Sequence, residues 1–337
     1  MKYTALGKTG MNVSRTSFGA LPIQRCTFEE AAGILRRAYD GGVNFFDTAR
    51  AYSDSEEKIA YALSDVRDRI FIASKTMGRD PAKMRADLET TLRNLKTDHV
   101  DLLQFHNHTP GDEQIAEMRK FIAEGKVLHM GITQHKLEEA FKAVRSGLFE
   151  TLQFPFSCLS GEKDVALVKE TADAGMGFIC MKAMSGGLIR NVEANFAFIR
   201  SLETPVPIWG VQRIEEIEQF LELEEKDPAF TEEYAARVAE EKQALGGKFC
   251  RGCGYCLPCP ADIEIFMAAR MREFMLRSPY QGMVTKEARE KMFRIENCIA
   301  CKACETRCPY GLKPYELLKE QLIWYKGFLR EKGIMES

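Results

Sequence analysis

Eight of the chain's eleven cysteines crowd into two short runs. The first is Cys250-x2-Cys253-x2-Cys256-x2-Cys259-Pro260, and the second is Cys298-x2-Cys301-x2-Cys304-x3-Cys308-Pro309. Two-residue gaps let successive thiolates and the backbone N–H groups between them wrap one small object, and proline after the last cysteine turns the chain away. This is the spacing of 4Fe-4S ligands, complete in the second run. A structural zinc site is the plainer alternative, but its four thiolates usually come from two Cys-x2-Cys knuckles separated by a longer loop. Disulfides fit less well, because only Cys26, Cys158 and Cys180 lie apart from the runs; the distribution suits metal ligands in a reducing, cytoplasmic compartment.

A second group of polar residues follows apolar runs further upstream: Asp47 after VNFF, Tyr52 a few residues on, Lys75 after FIAS and His106 after DLLQF. Together they suit the reduction of a carbonyl. Hydride addition leaves an alkoxide that must be protonated, and a phenol with a pKa of about 10 is a reluctant acid unless a cation stands beside it. Lys75 would be that cation, Asp47 would keep the buried ammonium charged, and His106 would orient the carbonyl oxygen. Singly, each has a duller explanation as packing or a structural ion pair; four in register make catalysis the better one. His99, His108, His129 and His135 lack such company and are expected to be structural or exposed.

These residues can meet only if the elements bearing them bring their ends together. From about residue 14 to 226, short β-rich apolar runs alternate with amphipathic helical stretches roughly thirty residues apart, the pattern of repeated βα units. Eight strands are expected, at 16–20, 43–48, 70–75, 100–106, 129–133, 151–156, 177–182 and 206–210, with helices between them such as 28–40 behind Thr27 and 81–95 behind Asp80. Eight parallel strands close most naturally into a (β/α)8 TIM barrel, whose active site lies at the carboxyl ends of the strands. Residues 3–13 read as a hairpin ahead of the first strand, able to cap the barrel floor.

The 337 residues, 45% of them apolar, allow one large core and a small appendage. The expected division is a barrel over 1–226 and, over 227–337, a charged helical linker followed by a mainly helical module for the two clusters. Alternating charges on the linker mark it as a solvated face. Helical stretches are expected at 263–277, with Met267, Met271 and Met275 as core, at 286–293 and at 315–331. A net charge of −2 with no basic stripe argues against nucleic acid. No apolar run approaches the roughly 18 residues of a membrane span, and MKYTALGKTG lacks a signal-peptide core, so neither membrane nor export is expected.

The segments GVNFFDTARAYSDSEEKIAYAL, FIASKT and DLLQFHN resemble the aldo-keto reductases, specifically their ferredoxin-fused members. The resemblance spans nearly all of residues 1–226 and implies that Asp47, Tyr52, Lys75 and His106 form the catalytic tetrad. It also implies NADP(H) or NAD(H) across the barrel mouth, its carboxamide near Thr133, Gln134 and Gln153, and its pyrophosphate near Lys182, Ser185 and Gly187. Met181 stands where the family usually stacks an aromatic ring, and Thr133-Gln134 where it more often has Ser-Asn. Arg213 is the candidate beyond the eighth strand, next to glutamates where the family often has the arginine for a 2'-phosphate. By similarity to two-cluster ferredoxins, Cys250, Cys253, Cys256 and Cys308 would hold one cluster and Cys298, Cys301, Cys304 and Cys259 the other.

The expected function is therefore an oxidoreductase interconverting a small-molecule carbonyl and an alcohol, with clusters passing electrons to or from a partner protein. A nicotinamide moves two electrons as hydride while each cluster passes one; a flavin could bridge them, although no flavin motif is evident. Two rivals stand beside this reading: an electron-transfer protein whose barrel binds nucleotide or partner without turnover, and a reductase whose clusters only brace the fold.

Overall fold

Eight parallel strands close into a barrel in the order of the chain. They are β3 (Ser17–Gly19), β4 (Phe45–Asp47), β5 (Phe71–Thr76), β6 (Val100–His106), β7 (Val127–Thr133), β8 (Thr151–Pro155), β9 (Gly177–Met181) and β10 (Pro205–Gly210), with β10 returning to pair with β3. The computed structural model describes residues 1–185, 189–246, 249–250, 256–276, 280–308 and 311–335. Gly187 and Cys253, two of the nominated site residues, lie outside them. The chain divides into two compact units, Met1–Val238 and Ala239–Ser337.

Between the strands run α1 (Phe28–Asp40), α2 (Ser55–Leu63), α3 (Pro81–Leu95), α4 (Asp112–Ala123), α5 (Leu137–Ser146), α6 (Glu162–Asp173) and α7 (Val192–Arg200); α8 (Ile214–Lys226) follows the last strand. Their starts have local causes. Thr27 and Glu30 form a reciprocal capping box on α1, and Asp80 accepts from Lys83 N at 2.9 Å ahead of Pro81 on α3. The helices bury one face against the outside of the barrel, where Trp209 stacks between Phe220, 4.3 Å away, and Phe196, 6.0 Å away.

Inside the barrel, Phe45, Ala73, Leu102, Ile179, Val206 and Ile208 form a separate core. The expected hairpin is present as β1 (Tyr3–Ala5) paired antiparallel with β2 (Asn12–Ser14), and its Leu6, Met11 and Val13 join that inner core as a floor. Gly7 makes the approach possible: it has φ +58°, and a β-carbon there would lie 2.2 Å from Gly177 N. With the floor plugged by side chains, chemistry is left to the opposite, carboxyl-terminal rim.

The division between the units falls within α9 (Glu232–Gly246), and the second unit contains α10 (Ile265–Ala268), α11 (Met271–Met275), α12 (Lys286–Phe293), α13 (Ala303–Thr306) and α14 (Pro314–Glu331). Tyr325, fully buried, donates to Met283 O at 2.6 Å and anchors α14. The single helix expected over 263–277 is instead broken. Arg270 takes φ −129°, ψ 10°, and the freed Arg272 N donates to the buried Gln321 of α14 at 2.8 Å, so a tertiary hydrogen bond replaces a helical one. Met271 and Met275 are core and Met267 is half-buried. Among the described residues no helix is long and apolar enough to cross a membrane.

Candidate active site

Parallel register carries the polar residues to one rim. Lys75 on β5 pairs with Gln104 on β6, Gln104 with Gly131 on β7, and Thr133 with Gln153 on β8. Lys75 Nζ donates to both oxygens of Asp47, each at 2.7 Å, and to Thr48 O at 2.6 Å, with both charged side chains at most 2% exposed. Gln104 Nε2 donates to Asp47 Oδ1 at 3.3 Å and to Gln153 Oε1 at 2.8 Å. Burial pushes the Asp47 carboxyl upward, while Lys75 and the two amides support its charged form.

Tyr52 arrives from the loop after β4. Its N–H donates to Ala49 O and its carbonyl accepts from Ser55 N, both at 2.9 Å, with Ser53 in the left-handed region at φ 40°. The Lys75 ammonium sits 5.1 Å from the centre of the Tyr52 ring. Burial raises the phenol above its ordinary value and Lys75 pulls it back, so at neutral pH the phenol is protonated beside a cation. His106, half-buried, meets Tyr52 edge-on with ring centres 5.9 Å apart. Burial first, then the charges of Lys75, His108 and Arg79, lower His106 to about 4, which leaves a neutral imidazole. Its Nδ1 is buried with no hydrogen-bond partner among the described residues. The four nominated residues thus form one cluster able to hold a proton next to a cation and to present a neutral imidazole.

What fixes this cluster was largely invisible to motif reading. Glu56, 1% exposed at the start of α2, accepts from Ser74 Oγ at 2.9 Å, Thr91 Oγ1 at 2.8 Å and Asn94 Nδ2 at 3.1 Å, and is ion-paired with Arg50. It ties the Tyr52 loop to β5 and α3. Asn195 on α7, fully buried, accepts from Cys158 N at 2.9 Å and donates to Ala183 O at 3.0 Å, joining the loops after β8 and β9.

The described residues nominated for a dinucleotide lie on the β7 to β10 side of the rim. Thr133 Oγ1 accepts from Asn107 N at 2.8 Å, and Gln134 Nε2 donates to Thr109 Oγ1 at 3.4 Å. Gln153 is turned inward to Gln104, and Met181 ends β9 at 9% exposure. Exposed Lys182 and half-buried Ser185 are both left-handed, at φ 53° and 49°, and Ser185 Oγ lies 3.1 Å from Ser157 Oγ. Arg213 caps α8 and is ion-paired with Glu216 at 2.8 Å. This side offers amide, hydroxyl, ammonium and guanidinium donors, a set that suits a carboxamide and phosphates.

In the second unit, Cys256, Cys259, Cys298, Cys301 and Cys304 line a common cavity. Ala300 and Lys302, between the ligands of the second run, are left-handed at φ 53° and 56°, the tight winding that short cysteine gaps impose. Cys256 is buried, Cys298 and Cys304 half-buried, and Cys301 exposed. The thiolate donor set around one cavity fits an iron–sulfur cluster. Cys250 and Cys308 are half-buried and not among the residues lining it.

Residues 15–205 match the Aldo/keto reductase family model and residues 249–313 that of the 4Fe-4S dicluster domain. The chain is 29% identical over 223 residues to the uncharacterized oxidoreductase YrpG of Bacillus subtilis, covering 56% of this chain and 68% of that protein. It is 26% identical over 213 residues to the aldo-keto reductase YhdN of the same bacterium, covering 56% and 64%. The match thus spans about two thirds of each relative's length. A solved aldo/keto reductase from Klebsiella pneumoniae, in complex with NADP and acetate, superposes with a TM-score of 0.62 at 20% identity, covering 71% of this chain and 95% of that one. That likeness speaks to the fold. Because the first model accounts for more than half of its length, the chain belongs to the aldo/keto reductase family, in a form with a 4Fe-4S dicluster domain C-terminal to the barrel.

Proposed function

We propose that this oxidoreductase interconverts a small-molecule carbonyl and its alcohol with NAD(P)(H). The observation that carries the reading is the buried, protonated Tyr52 phenol, whose ring centre lies 5.1 Å from the Lys75 ammonium, itself bonded to both oxygens of Asp47. When bound, the nicotinamide supplies or accepts the hydride. Thr133, Gln134, Gln153, Met181, Lys182, Ser185, Gly187 and Arg213 are the residues proposed to hold it.

Tyr52 delivers its proton to the alkoxide oxygen, and the resulting phenolate rests against the Lys75 ammonium. His106, neutral, donates one N–H to the carbonyl oxygen and fixes its place beside the phenol. Asp47 keeps Lys75 charged without touching substrate. In the second unit, Cys298, Cys301, Cys304 and Cys259 would hold one 4Fe-4S cluster and Cys250, Cys253, Cys256 and Cys308 the other, passing single electrons to or from a partner protein. Free thiolates in that number fit a cytoplasmic setting.

Tyr52→Phe in the anaerobically prepared full chain tests the reading. Aldehyde reduction by NADH or NADPH should fall by about 10²- to 10⁴-fold, with nucleotide affinity retained. Unchanged turnover would remove Tyr52 from the chemistry.

A further inference from the structure

The rim carries several arginines, and nearly all are engaged. Arg50 pairs with Glu56, Arg213 with Glu216, Arg25 donates to Gln212 at 2.9 Å, and Arg190 has a partner as well. Arg79 differs. It is exposed on the turn between β5 and α3, four residues beyond Lys75, and no carboxylate or other acceptor among the described residues takes its guanidinium.

The turn that presents it is firmly built. Gly78 N donates to Thr76 Oγ1 and to Asp87 Oδ2, both at 3.0 Å, and Gly78 O accepts from the buried Gln114 amide at 3.1 Å. Gln114 also lies 3.0 Å from His108 Nε2, so one side chain clamps this turn to the segment just after His106. A β-carbon at Gly78 would come within 2.5 Å of Met84 N, which holds the turn close against α3. The charge of Arg79 is felt at both His106 and His108. Beside it Met77 is 51% exposed and offers an apolar surface.

Topology separates this cation from the proposed dinucleotide. In the closed order of strands, β5 lies across the barrel from β9, which bears Lys182 and Ser185. This guanidinium, unpaired among the described residues, thus stands on the opposite side of the same rim, on a turn clamped to the segment after His106, and is placed for the other reactant. A planar guanidinium suits a carboxylate, which it can bind with two parallel hydrogen bonds. We propose that Arg79 selects carbonyl substrates that carry a carboxylate or similar anion; this rests on the reading of Tyr52 and His106 as the reacting centre.

The test uses the full-length, cluster-loaded protein and its Arg79→Met and Arg79→Lys variants. Calorimetric titration compares para-carboxybenzaldehyde, its neutral methyl ester and NADP+. The native protein should bind the acid about tenfold or more tightly than the ester. Arg79→Met should remove that preference while leaving ester and NADP+ affinities unchanged, and Arg79→Lys should keep part of it. Equal binding of acid and ester by the native protein, or a preference that survives Arg79→Met, overturns the proposal. So does a loss confined to NADP+, which would make the cation a dinucleotide phosphate ligand. Turnover of both aldehydes is followed in parallel. If the binding preference follows Arg79 but neither aldehyde is reduced, the anion site stands and the reductase reading falls.

Discussion

Removing one partner of the Lys75–Asp47 pair should cost far more than removing both. The pair is almost wholly buried, with Lys75 Nζ bonded to both carboxylate oxygens and to Thr48 O. Asp47→Asn leaves a buried ammonium with only neutral acceptors, and Lys75→Met leaves a buried carboxylate with the amides of Gln104 and Gln153. Breaking such a pair costs about 3–5 kcal/mol, whereas replacing both charges spares the uncompensated ion. The double variant should therefore cost less than either single variant, which gives a coupling of at least about 3 kcal/mol. The two single variants should also differ in pH dependence. Without Lys75, burial dominates Asp47, so its folded-state value rises above the unfolded value of about 3.9. The folded chain then takes up a proton where the unfolded chain does not, and the penalty of Lys75→Met is relieved as pH falls through that raised value. Asp47→Asn, whose residual charge is a cation, gains no such relief. Urea unfolding in a Trp324→Phe background lets the buried Trp209 report the barrel alone, since the chain has two tryptophans. Costs that add to within about 0.5 kcal/mol, or a single-variant cost below about 1 kcal/mol, would refute the buried pair.

His106 supplies a second pH test. Its folded value near 4 lies below the unfolded value of about 6.5, so the unfolded chain binds a proton first on acidification and stability is lost as pH falls between the two. His106→Gln should flatten the slope of urea midpoint against pH by about 1–2 kcal/mol between pH values of roughly 6.5 and 5; an identical slope would contradict a depressed imidazole. For the cysteine module, anaerobic preparations should hold about eight iron atoms per chain, and Cys298→Ala/Cys301→Ala about four. Adding Cys259→Ala to that double variant should remove no more iron if Cys259 serves the same cluster, and most of the remainder if it does not.

Whether a residue could be read in advance depended on how local its cause is. Strands β3 to β10 and helices such as Phe28–Asp40 are set by apolar periodicity and caps within their own segments, and they fall where that periodicity places them. Asp47, Lys75 and His106 were legible for a related reason: a polar side chain at the end of an apolar strand marks a rim. Gln104 carries the same mark no less than they do, yet an amide in the middle of DLLQFH suggests no reaction, and its tie to Asp47 and Gln153 exists only once β6 and β8 share a barrel. Glu56 and Asn195 are harder still, because each joins three or more segments that no spacing relates. The break at Arg270 has the same origin, since Gln321 lies 49 residues away from the N–H it captures. Sequence therefore exposes the groups that perform chemistry, whose types are few and whose positions are rim positions, and conceals the amides and carboxylates that hold them still. That asymmetry bears on Arg79: adjacent Asp80 turns to Lys83, so among the described residues Arg79 lacks the ion-pair partner that Arg50 and Arg213 have, which only coordinates reveal.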